Sequence, residues 1–241
     1  MIQTQRIFNR VEKKYLLDKR QYAALRDRLG ERARPDQYGM QTICNLYFDT
    51  DDYELIRSSL DKPVYKEKLR LRSYGVPDEG SIVYLELKKK FKGVVYKRRA
   101  GLLFSQAARF QPFHGDSGEN LQILNEINWF IEFYRPKPKV FLAYDRVALY
   151  GREEPELRVT FDLNIRWRET ELDLLKGDWG APLLDTGRIL MEIKFFGAMP
   201  LWLCQTLSEL HIYPAPFSKY GVCYREYLSR GAGWTGGVTC A

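Results

Sequence analysis

The chain has 241 residues and a mass of 28.4 kDa, enough for one domain with a substantial core or at most two small ones. Its 45% hydrophobic and 29% charged residues are ordinary for a soluble protein, and no window nears the ~20 apolar residues of a membrane helix. The formal charge of +7 is localised: Lys66 to Arg99 holds eleven Lys/Arg against four Asp/Glu, and elsewhere the signs balance. Such concentration points to an anionic ligand rather than to general solubility.

The cysteines Cys44, Cys204, Cys223 and Cys240 are widely spaced, with no CxxC pair and only two histidines in the chain. Neither a zinc site nor a disulfide framework is indicated, and reduced thiols in a cytoplasmic protein are expected. The start, Met1 to Arg6, lacks the apolar stretch of a signal peptide.

In chain order, Phe8 to Leu17 reads as a strand, and Asp18 caps a helix to Leu29 that stops at Gly30. Ile43 to Asp49 is a second strand. Thr50-Asp51-Asp52 signals the start of a short helix to about Leu60. Strands follow at Tyr65–Tyr74 and Ile82–Lys90, and Lys92-Gly93 turns the latter into Val94–Leu103. Ser105 begins a short helix, and Asn120 to Tyr134 is the longest. Three more strands cover Val140–Tyr150, Leu157–Arg166 and Ile189–Phe195. Pro200 to Leu210 is a helix with Leu201, Leu203, Leu207 and Leu210 for its buried side, and Ser218 caps a last helix through Leu228. Residues 1–230 form one domain in this reading, and the Gly-rich residues 231–241 are a flexible tail.

The strands carry charge at every second position. In Lys66-Glu67-Lys68-Leu69-Arg70-Leu71-Arg72 the cations share one face, and Leu85-Glu86-Leu87-Lys88, Arg158-Val159-Thr160-Phe161-Asp162 and Glu192-Ile193-Lys194 repeat the period. An open sheet with a solvated polar face would account for alternation alone. Single-sign rows repel along a strand, however, and carboxylates recur at matching offsets within them. We therefore expect an α+β protein: an antiparallel eight-stranded β-barrel with charges inside and flanking helices outside.

Glu12-Lys13-Lys14, Glu86-Leu87-Lys88 and Glu192-Ile193-Lys194 share an E-x-K pattern on three strands. Converging carboxylates would suit Mg²⁺ or Mn²⁺, with Asp162 as a possible fourth ligand. Lys and Arg match phosphate oxygens, and phosphoryl transfer needs mainly alignment and charge neutralisation. His114 and His211 lie outside any nucleophilic arrangement, and a GxxxxGK[ST] phosphate loop is absent. Nucleic-acid binding is not expected, because no aromatic stacking set is interleaved with the cations.

The motifs Glu12-Lys13-Lys14-Tyr15, Tyr47-Phe48-Asp49-Thr50, Lys68 to Arg72, Leu85 to Lys88, Tyr144-Asp145-Arg146, Leu157 to Asp162, Met191 to Lys194 and Phe217 to Tyr220 come in a telling order. From about Arg10 to Leu228 the chain resembles VTC domains, the polyphosphate polymerase catalytic domains among the CYTH-like triphosphate tunnel metalloenzymes. The resemblance implies a tunnel barrel in which the γ-phosphoryl of ATP moves onto inorganic polyphosphate with Mn²⁺ or Mg²⁺ present. Carried over by motif, Lys14, Arg70, Arg72, Lys88, Lys97, Arg146, Arg158 and Lys219 would do the catalytic phosphate binding. Lys14, Arg70, Arg72, Arg99 and Arg158 would hold the nucleotide, with Lys97 and Arg99 facing inward together. Glu192 would hold the metal, supported by Glu12 and Glu86.

The hydrolytic CYTH branch opens with E-x-E-x-K, and Arg10 here takes the first acidic place, which favours the polymerase-like branch. Eukaryotic members also carry an SPX domain and membrane helices, so a stand-alone, bacterial form is expected. A tripolyphosphatase or nucleoside triphosphatase, and a non-catalytic polyphosphate or inositol-phosphate binding module, remain as alternatives.

Overall fold

A computed structural model describes residues 10–107 and 121–229. Its contacts gather into two compact units. Among the described residues the first draws on 10–41, Tyr144–Ile165 and Leu184–Phe217, and the second on 42–107, 121–143, Arg166–Leu183 and 218–229. Phe8, His114, Asn120, Cys240 and the expected tail at 231–241 lie outside the described residues.

The strands are β1 (Arg10–Leu17), β2 (Ala33–Asp49), β3 (Tyr65–Tyr74), β4 (Ile82–Phe91), β5 (Val94–Leu103), β6 (Lys137–Gly151), β7 (Arg158–Arg168), β8 (Ala181–Pro182) and β9 (Ile189–Phe196). The helices are α1 (Lys19–Leu29), α2 (Glu54–Leu60), α3 (Phe104–Ala107), α4 (Leu121–Tyr134), α5 (Leu201–Glu209) and α6 (Lys219–Cys223). Hydrogen bonding orders the sheet β1-β9-β7-β6-β2-β3-β4-β5, and the short β8 adds to β7. The antiparallel α+β architecture with flanking helices is the one the alternation predicts. Among the described residues the order ends at β1 and β5, so the sheet is not strictly closed as a barrel would be.

In the first unit, period two turns Tyr15 and Leu17 of β1, Val159 and Phe161 of β7, and Met191 and Ile193 of β9 toward one core. Leu25 and Leu29 of α1 and Leu203 and Leu207 of α5 close that core. Asp18 starts α1 through a reciprocal box: its carboxylate accepts from the Gln21 amide, and the Gln21 side chain accepts from the Asp18 amide. Leu201 was expected on the buried side of α5 but is exposed. It stands about 200° around the helix from Leu203.

In the second unit Leu46 and Phe48 of β2, Leu69 and Leu71 of β3, and Leu85 and Leu87 of β4 pack on Ile127, Phe130 and Ile131 of α4. Lys92 and Gly93 both take positive φ, 45° and 86°, as a two-residue turn between β4 and β5 requires.

Capping of α2 departs from the sequence signal. Its N-cap is Tyr53, in the left-handed region and without a side-chain bond. The orphan amides are met from further upstream: the Asp49 carboxylate accepts from Leu55 and Ile56 at 2.9 and 3.0 Å, and Thr50 Oγ1 accepts from Glu54 at 2.8 Å. The Tyr220 hydroxyl, on α6, donates to the same carboxylate at 2.8 Å. Burial pushes the Asp49 carboxyl up, although these donors act against that rise. Ser218 caps α6 as expected, but regular helix lasts only to Cys223 before a π-helical turn, Tyr224–Leu228.

Candidate functional site

In the second unit, strand register builds a cationic face opposite the apolar one. Asn45 and Tyr47 pair with Arg72 and Arg70, which pair in turn with Tyr84 and Glu86. Glu86 then pairs with Arg99, and Lys68, Lys88 and Lys97 form the next row. Lys97 and Arg99 therefore share this face, while Arg98 turns to Glu126 of α4 on the other side.

Glu86 organises the face. Its carboxylate is 2% exposed and meets Arg70 at 2.7 Å, Lys97 at 2.8 Å, Arg99 at 3.6 Å and Arg72 at 3.7 Å. Burial alone would push this carboxyl up, but Arg70, Arg72 and Lys97 together outweigh it and hold it below the usual carboxylate range. The arginines are also oriented by neutral partners. Arg70 donates to the Tyr47 hydroxyl at 3.0 Å, and Arg72 Nε donates to Asn45 Oδ1 at 2.8 Å. The Arg99 guanidinium lies 3.6 Å from the centre of the Tyr84 ring.

In the first unit a second charged cluster spans β1, β9, β7 and β6. Lys194 Nζ stands 3.4 Å from an oxygen of Glu12 and 3.4 Å from one of Glu192. Lys14 lies 3.5 Å from Glu12 and donates to the Phe217 carbonyl at 3.1 Å. Arg146 grips the fully buried Asp162 with two bonds, 2.6 and 2.8 Å, and reaches within 3.8 Å of Glu192. Burial works against the Arg146 charge, but Tyr144 and Asp162 hold the guanidinium protonated. The buried Arg158 Nε has no hydrogen-bond acceptor.

Arg70, Arg72, Lys88, Lys97, Arg99 and Glu86 thus share the face in the second unit, and Lys14, Arg146, Arg158, Glu12 and Glu192 belong to the cluster in the first. Lys219 opens α6 directly after Ser218, whose hydroxyl accepts from Lys68 at 3.4 Å.

The sequence reading expected Glu12, Glu86 and Glu192 to converge on one metal. Among the described residues no three His, Cys, Asp or Glu side chains form such a group. Glu86 does not fit as a ligand, because four cations already share its oxygens. Glu12 and Glu192 do fit in donor chemistry. A single ammonium bridges them, and Mg²⁺ or Mn²⁺ can be held by one or two carboxylates with waters and substrate phosphates.

Asn45, Tyr47, Tyr84 and Lys194 were given no site role from the sequence, although Tyr47 and Lys194 stand within quoted motifs. Asn45 and Tyr47 do alternate in β2, but uncharged polar residues at period two also mark plain surface. Lys194 belongs to an E-x-K pattern already noticed; that it would tie two carboxylates together depends on β1 pairing with β9.

Residues 9–227 match the VTC domain family over nearly the whole chain. The chain belongs to the VTC domain family. None of the curated proteins matches the VTC chain by sequence. Its fold is similar to that of a candidate adenylate cyclase from Bacillus halodurans, at 18% identity and a TM-score of 0.54, covering 90% of this chain and 96% of that one. A candidate adenylate cyclase from Vibrio parahaemolyticus is 14% identical, with coverage of 92% and 98% and a TM-score of 0.47. A candidate adenylyl cyclase from Hippeastrum with a dominant triphosphatase activity is 16% identical, with coverage of 90% and 95% and a TM-score of 0.49. The likeness to the Bacillus halodurans protein shows a shared fold. No helix among the described residues is long and apolar enough to cross a membrane.

Arg72→Ala is expected to weaken tripolyphosphate binding by at least ~1.5 kcal/mol, more than tenfold in Kd, as the loss of a charge-assisted bond. Titration calorimetry checks this; an unchanged Kd would remove Arg72 from the anion site.

Proposed function

We propose that this VTC domain is a metal-dependent phosphotransferase that moves the γ-phosphoryl of ATP onto inorganic polyphosphate. The observation carrying this reading is the set of four cations held around the buried carboxylate of Glu86. A dense triphosphate can take contacts from Arg70, Arg72, Lys97 and Arg99 while Glu86 keeps them positioned and limits their mutual repulsion. Lys88, Lys14, Arg146, Arg158 and Lys219 are assigned to phosphate binding as well, with Arg158 Nε offering an unused donor.

In the transfer, an oxygen of the terminal acceptor phosphate bonds to the γ-phosphorus. The bond to the β–γ bridging oxygen breaks, and ADP leaves. Arginine forks and lysine ammonium groups hold both polyanions in line and bear the spreading charge. Glu12 and Glu192 would hold Mg²⁺ or Mn²⁺, which when bound neutralises charge on phosphate oxygens.

Incubating the protein with ATP and Mn²⁺, and resolving the products on a gel stained for polyphosphate, tests this. Long chains are expected. Free phosphate alone would make water the acceptor and the protein a triphosphatase, and tight tripolyphosphate binding without turnover would make it a binding module. Glu192→Ala should lower turnover by at least ~100-fold while leaving tripolyphosphate affinity within a few-fold, because the phosphate-binding cations remain. A normal rate in this variant would take Glu192 out of the metal site.

A further inference from the structure

The turn between β4 and β5 carries an exposed apolar surface that the phosphate chemistry does not use. Tyr65 pairs with Phe91, and Phe91 with Val94, so three apolar side chains cross three strands in one row. Val95 and Tyr96 continue along β5, and Val64 is tied to the turn by the Lys92 amide, which donates to its carbonyl at 2.9 Å. All six are between 43% and 62% exposed, although they are the residue types that folding normally hides.

The rim of this tip is basic. Lys92 forms the turn itself, Lys62 precedes β3, and Lys90 pairs with Lys66, whose ammonium is half-buried and donates to the Ser59 carbonyl at 2.9 Å. Burial and the neighbouring Lys90, Lys88 and Lys62 push the Lys66 ammonium down, as crowding of like charges requires. Of the nearby acids, Asp61 lies in solvent beside Lys62, whereas Glu67 is buried with Lys89 at 3.7 Å.

We infer that this tip docks on an anionic lipid bilayer surface, with Tyr65, Phe91 and Val94 entering the headgroup boundary and Lys62, Lys90 and Lys92 meeting lipid phosphates and carboxylates. Aromatic and aliphatic side chains among lysines are the combination an interfacial anchor needs. A free polyanion would use the lysines but gain nothing from the apolar row. Pairing of β5 with β5 of a second copy would oppose the cationic run Lys97-Arg98-Arg99 to itself, a repulsive arrangement. The docking does not depend on the phosphotransferase reading.

The test is co-sedimentation of the full chain with phosphatidylcholine vesicles, with and without phosphatidylserine. Partitioning at least ~10-fold stronger onto the anionic vesicles is expected. It should fall by a similar factor in Phe91→Ser/Val94→Ser and in Lys62→Glu/Lys92→Glu, with thermal midpoint and triphosphate handling unchanged. Absent binding, or equal binding to neutral vesicles, overturns the inference on the wild-type chain alone. Binding that needs the lysines but ignores Phe91 and Val94 overturns it in favour of a soluble polyanion. Self-association lost in the Phe91/Val94 variant overturns it in favour of a second copy.

Discussion

Glu86→Gln is expected to destabilise the ligand-free protein by about 3 kcal/mol, the lower end of the cost of breaking a buried ion pair. The glutamine keeps the size of the side chain but removes the charge that Arg70, Arg72, Lys97 and Arg99 share. Lys97 and Arg99 are 46% and 34% exposed, so water relieves part of the repulsion, and the upper end is not reached. Urea unfolding at low ionic strength measures the loss, and a change below ~1 kcal/mol would mean that Glu86 does not hold the cations together. Tripolyphosphate should then raise the thermal midpoint of the variant more than that of the wild type, since it supplies the missing negative charge. The same carboxylate sets an acid limit. Its folded pKa lies below the unfolded value, so its stabilisation is complete above the ordinary carboxylate range of about 4.3. That stabilisation is lost as the pH falls from there through the folded value. Between pH 5 and 7 this group should leave stability flat, and Glu86→Gln should remove its share of the acid transition.

Arg146→Ala should cost a comparable ~3–5 kcal/mol by leaving the fully buried Asp162 without its two-bonded partner. The double variant Arg146→Ala/Asp162→Ala should recover at least ~2 kcal/mol of that loss, because the uncompensated charge goes with the carboxylate. Additive losses in the cycle would show that the pair is not coupled. Arg146 also approaches Glu192, so the single variant is expected to impair turnover beyond its effect on folding, and the double variant should regain stability without regaining rate. Recovery of both together would confine Arg146 to a structural role.

The period-two pattern made most of the elements legible. Tyr65–Tyr74 has the same limits in sequence and structure, because a strand with one apolar face announces both its extent and its register, and Val94–Leu103 has them because the Lys92-Gly93 turn fixes its start. The first ten residues of β2 were not legible, since Pro35, Gly39 and a run of polar residues erase the alternation there. The clamp of Asp49 on α2 was also hidden: a carboxylate five residues before a helix carries no local capping signal.

From the amino-acid order alone came the faces: which side chains share a side of each strand, that the surplus charge of +7 sits in β3 to β5, and which motifs mark the VTC family. These follow from the fixed geometry of an extended chain and need no knowledge of which strand lies beside which. Only the tertiary structure decided the partnerships. Lys194 bridges Glu12 and Glu192 because β9 pairs with β1, and Glu86 gathers Arg70 and Arg99 because β4 lies between β3 and β5. Ion pairing depends on a few ångströms across strands far apart in sequence, and residue spacing along the chain contains no measure of that distance.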